Sequence, residues 1–185
     1  MREAVLHELA EVGYGAFTID SVANRSGVAR STIYRHWPDK VTLIADSFDT
    51  LNQQPRPRDV PGGESPRQRI QQLLRHLAEV FQESIFSACI PALIEGAERN
   101  PELRDFLHQQ SDRRRQALID AIAAGVAAGE ISPRVDPDLG ALALSGAIIY
   151  RRIMTGERFD PKRVGDLIDT VLGEPTTRIQ ADRSD

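Results

Sequence analysis

The sequence predicts an all-α protein, and three observations carry that expectation. Ala and Leu are frequent while aromatic residues make up only 5% of the 185, a balance that favours helix over sheet. No segment alternates apolar and polar residues with the period of two that a half-buried strand needs. Four helix starts recur in the later part of the chain, at Ser65-Pro66, Asn100-Pro101, Asp136-Pro137 and Asp160-Pro161. Each sets a polar cap before a Pro at the first helical position, where its missing N–H costs nothing. The expectation is nine helices and no sheet.

Val5, Leu6, Leu9 and Ala10 form the stripe of a leading helix over residues 2–13, closed by Gly13 and Gly15. Thr18 is placed to cap a second, short helix whose inner face is Ile19, Val22, Ala23 and Ser26. Gly27 can adopt positive φ, so it ends that helix and turns the chain. In the third helix Ile33 and Trp37 share the core face while Ser31, Tyr34 and Arg35 point elsewhere. Ala23 is small enough for the third helix to cross close over the second, and Ile33 fills the crossing. That is the stereochemistry of a helix-turn-helix, whose second helix enters the major groove of duplex DNA. Pro38-Asp39 then opens a fourth helix with Leu43, Ala45, Phe48 and Leu51 as apolar positions.

The stretch 53–64 is too rich in Pro and Gly for a helix and reads as the loop between a head and a body. In the body, helices are expected from Ser65 to about Ser84, over 85–98 with Pro91 as a kink or first turn, from Asn100 to Gly129, from Asp136 to Gly156, and from Asp160 to Gly173. The expected organisation is a helix-turn-helix domain over 1–50, a loop over 51–64, a helical effector-binding and dimerisation domain over 65–173, and a flexible tail over 174–185.

Charge narrows the class of function. The chain carries a net −4, which argues against coating nucleic acid by bulk charge. Yet Arg25, Arg30, Arg35 and Lys40 face only Asp39 between residues 25 and 40, a local +3 that leaves −7 for the rest. Cys89 is the only cysteine, so no disulfide framework exists and a reducing cytoplasm is the expected location. The longest apolar stretch, 140–150, is bounded by Asp138 and Arg151 and is too short for a bilayer, so no membrane partner is expected. A Gly-rich phosphate loop, HExxH, CxxC and nucleophile elbow are all missing, so no cofactor, metal site or catalytic residue is assigned. An enzyme built around Cys89 and a histidine lacks a base and an orienting third group near that thiol.

With those residues in view, the chain resembles the TetR family of bacterial transcriptional regulators. The match rests on Thr18, Ala23, Gly27-Val28, Tyr34, His36-Trp37 and Lys40 in the head, and on PELRDFL from Pro101 and AAGEISPRVDPDLGALALSGAIIYRRIMTGERFDP in the body. Trp37 stands where Phe is commoner, and Ala29 where the family often caps the recognition helix with Ser. The resemblance implies a dimer that binds a palindromic double-stranded operator, most often as a repressor, and that a small molecule releases. The residue reading and the resemblance agree on roles in the head. Thr18, Tyr34, His36 and Lys40 are expected on phosphates, and Arg30, Ser31, Thr32 and Arg35 at base edges.

The dimer seam is expected at Gly140, Ala143, Leu144, Ala147 and Ile148 with Val164, Leu167, Ile168 and Val171, because small residues at helical spacing let helix pairs pack closely. The effector pocket that the resemblance implies is assigned to Phe81, Phe86, Cys89, Leu93 and Phe106, with His76 or His108 as a polar anchor, and its apolar character suggests a hydrophobic effector. The alternative is a structural helical dimer without sequence-specific DNA binding, against which the clustered basic residues speak.

Overall fold

In a computed structural model, residues 1–51, 55, 63–82 and 84–175 are described. Among them are nine α-helices and no strand: α1 Arg2–Ala16, α2 Ile19–Ser26, α3 Arg30–His36, α4 Lys40–Leu51, α5 Pro66–Val80, α6 Ile85–Arg99, α7 Pro101–Ala127, α8 Pro137–Met154 and α9 Val164–Leu172. The expected starts hold where the caps were read. Asp136 accepts from the amides of Asp138 and Leu139, and Asp39 accepts from the amide of Thr42 at 2.8 Å. Asp160 caps a 3-10 turn, Pro161–Arg163, and α9 proper follows it. Helix α6 runs through Pro91, and α1 is interrupted at Gly13, whose φ of 73° only glycine adopts cheaply. Most of the expected loop, and residues 176–185 of the expected tail, lie outside the described residues.

The chain divides into two units, Met1–Gln54 with Val80–Arg113, and Pro55–Glu79 with Arg114–Asp185. In the first, α6 packs chiefly along α1, and α1 also meets α2 and α4. Its core joins Val5, Leu6 and Leu9 of α1, Val22, Ile33, Leu43, Ile44 and Phe48 of the head, and Phe86, Cys89 and Leu93 of α6. The Phe48 and Phe86 rings meet at 4.8 Å. Gly96 explains how close α6 comes: a Cβ there would stand 2.5 Å from the Tyr14 ring.

The second unit buries Ile70, Leu73, Leu74 and Leu77 of α5, Leu118 and Ile122 of α7, Leu144 and Ile148 of α8, and Val164, Ile168 and Leu172 of α9. Gly140 lets α8 approach Leu172 and Ile122 of the same chain, to 3.1 and 3.4 Å from where its Cβ would be. No single helix among the described residues is long and apolar enough to cross a membrane.

Candidate DNA-binding interface and pairing face

The α2–α3 segment folds as its residues dictate. The Thr18 hydroxyl accepts from the Ser21 amide at 3.0 Å, and Ser21 returns the contact to Thr18. Gly27 sits in the left-handed region at φ 69° and donates its amide to Ala23 at 3.0 Å. Helix α3 follows Ala29, which supplies no side-chain cap. Of its seven residues only Ile33 is buried. Arg30, Ser31, Tyr34, Arg35 and His36 are exposed, Tyr34 by 51%, and Thr32 is half-buried. Trp37, expected in the core, is half-buried and packs against it, with its indole N–H donating to Asp46 at 3.3 Å.

The basic cluster is smaller than its charge count. Arg25 is spent within the unit, on Glu8 at 2.7 Å and on Glu11. Arg30 is paired with Asp20. Among the described residues Arg35 makes no ion pair, which leaves it the most available guanidinium on α3. The Lys40 ammonium donates to the Tyr14 carbonyl at 3.0 Å and lies 4.0 Å from the centre of the Tyr14 ring.

Glu8 is buried, and its hydrogen bond from Arg25 holds the carboxyl below its ordinary value of 4.5, against the opposing effect of burial. The stability this carboxylate contributes is therefore present above pH 4.5 and is lost as the pH falls through the lower folded value. Glu8→Gln is expected to cost about 1–3 kcal/mol at neutral pH. In thermal melts across pH, the gap between wild type and variant should shrink below about pH 4. A gap that stays constant there would show that the charge of Glu8 contributes nothing.

On α8 the apolar residues lie on two faces. Gly140, Leu144 and Ile148 are turned into their own unit, as are Val164 and Ile168 of α9. These five, expected at a seam between chains, are already buried within the single chain. Ala143 is exposed, while Ala147, Leu167 and Val171 are half-buried. The exposed row is Leu139, Leu142, Ile149, Tyr150 and Met154, with Gly146 half-buried on the same face and Tyr150 62% and Met154 69% exposed. A Cβ on Gly146 would meet no atom within 4 Å.

The residues expected to line an effector pocket are packed. Phe86, Cys89 and Leu93 lie in the core shared with α1 and α4, Phe81 is buried, and Phe106 packs against that core. His76 is half-buried and His108 exposed. The Cys89 thiol donates to the Leu6 carbonyl, and burial pushes it up to about 12, which removes it as a nucleophile. No group of three metal-ligating side chains occurs among the described residues.

Tyr14 escaped the sequence reading. Its signal was there: an aromatic held between Gly13 and Gly15 at a helix end, and Gly96 inside a helix where no turn needs it.

This helix-turn-helix joined to a helical body is the architecture of a bacterial DNA-binding regulator. Residues 2–46 match the model for bacterial regulatory proteins of the tetR family, and residues 60–171 the model for the tetracyclin repressor-like C-terminal domain. The chain belongs to the TetR family and is a DNA-binding transcriptional regulator, not an enzyme. It is 31% identical over 175 residues to an uncharacterized HTH-type transcriptional regulator of Mycobacterium tuberculosis, covering 94% of this chain and 84% of the relative. It is 27% identical over 170 residues to the DNA-binding transcriptional repressor TetR of Mycobacteroides abscessus, covering 90% and 87%. Among solved structures, the regulator FadR of Bacillus subtilis, in complex with stearoyl-CoA, superposes with a TM-score of 0.74 at 17% identity, covering 93% of this chain and 96% of that one.

Proposed function

We propose that the protein is a dimeric repressor that binds a palindromic operator and is released by a small hydrophobic effector in the cytoplasm. The observation that carries this reading is α3, which gives only Ile33 to the core and leaves its polar face free to enter a major groove. Thr18, Tyr34, His36 and Lys40 hold phosphates, and Arg35, Ser31 and Thr32 read base edges. Arg30 reads a base only by leaving Asp20, giving up an exposed carboxylate for the neutral acceptors of a base edge.

One head spans only a few base pairs, so two are needed. A second copy meets the exposed row on α8, with Leu139, Leu142, Ala143, Gly146, Ile149 and Tyr150 at the centre and Ala147, Leu167 and Val171 at its side. Large apolar side chains in one helical row are costly to leave in water, and self-complementary burial on a two-fold axis removes that cost.

The relative named a DNA-binding transcriptional repressor supports repression, and the neighbour of the same fold solved with stearoyl-CoA supports a ligand with an apolar part. A ligand that contacts Phe86, Cys89 and Leu93 must part α6 from Leu6 and Phe48. Its binding is then linked to the position of the head, because the same side chains hold both. Phe81 and Phe106 would close around it.

The reading is tested by Arg35→Ala in binding to a selected operator. The expected loss is about 1–3 kcal/mol, confined to one base-pair position. An unchanged base preference would remove Arg35 from direct readout, and unchanged preferences in Arg30→Ala as well would favour a helical dimer that does not read sequence.

A further inference from the structure

We propose that Tyr14 is a positioning residue for DNA binding, which holds the Lys40 ammonium in place for a phosphate and makes that hold depend on α6. The proposal rests on the reading of Lys40 as a phosphate contact. One residue holds the ammonium in two ways, by its carbonyl 3.0 Å away and by its ring, whose centre is 4.0 Å away. A lysine on its flexible stem otherwise loses much rotamer freedom when it docks on a phosphate. Here that freedom is already spent before DNA arrives.

The ring is itself fixed from the α6 side. The Tyr14 hydroxyl accepts from the Asn100 amide at 3.0 Å, and Asn100 in turn accepts from the Leu103 amide at the start of α7. Gly96 leaves room for the ring, because any Cβ there would stand 2.5 Å from its Cγ. Asn100 ends α6 and Gly96 lies within it, so a shift of α6 moves Tyr14, and Tyr14 carries Lys40 with it. Helix α6 packs chiefly along α1, the helix that bears Tyr14. The carrier of the signal is therefore the end of α1, ahead of the start of α4.

A double-mutant cycle tests this, with binding of the full-length protein to a random-sequence duplex measured across salt concentrations. Lys40→Ala should weaken binding and flatten the salt slope by about one unit. Tyr14→Leu should weaken binding about three- to tenfold with Lys40 present, and leave it unchanged in the Lys40→Ala background. Tyr14→Phe keeps the ring and the carbonyl but loses the bond from Asn100, and should weaken binding less than Tyr14→Leu does. The same loss from Tyr14→Leu in both backgrounds, or an equal loss from Tyr14→Phe, overturns the positioning role. If Tyr14→Leu fails to fold by thermal melting, Gly96→Ala, which pushes the ring aside, takes its place in the cycle with the same expected outcomes. A wild type that binds no duplex would sink the functional reading itself. A Lys40→Ala variant that binds like wild type would sink the phosphate contact, and the proposal with it.

Discussion

Leu142→Glu is expected to leave the chain folded but monomeric, and to weaken operator binding by about 10²–10⁴-fold. The side chain at 142 is 57% exposed in the single chain, so the substitution removes little intrachain packing. At a paired α8 face it sets a carboxylate against its own symmetry mate among Leu139, Gly146 and Ile149, where neither charge can be solvated. Two separated heads then bind half-sites independently, and the gain from linking them disappears. Sedimentation and gel shift on one preparation read both consequences. A variant that sediments as a dimer and binds normally would place the contact between copies on another surface.

Ile33→Ala is expected to cost about 2–5 kcal/mol. Ile33 is wholly buried and is the only side chain α3 gives to the core, so its truncation leaves a cavity where α3 crosses α2. In a chain of this size the melting midpoint should fall by roughly 4–20 °C. Binding to every duplex sequence should weaken together, because the recognition helix loses its seat and not a base contact. A melting midpoint within a degree of wild type would mean that α3 is held by something other than this crossing.

The head was legible because its signals are local. Thr18 caps α2 and Gly27 ends it, and Ile33 fills the crossing, through contacts a few residues apart. The charge of the head was less legible, because the partners of Arg25 lie on α1, and a sequence count cannot see Glu8 and Glu11 fold back on it.

Helix α8 shows a different limit. Its apolar residues fall on two faces, and small residues at helical spacing mark a close approach without saying to what. Gly140 serves that approach inside its own chain, against Leu172 and Ile122, while Gly146 stands open on the other face. Helix α6 carries an apolar face whose partner the sequence does not name. The structure sets Phe86, Cys89 and Leu93 against the head, which turns an expected pocket lining into the tie between α6 and the DNA-binding unit.

Whether two identical heads read one duplex is decided by selecting tightly bound fragments from a random duplex pool. Paired heads enrich an inverted repeat, with half-sites about one helical turn apart or a multiple of it. Enrichment of a single unrepeated site, or of no sequence at all, would contradict such pairing.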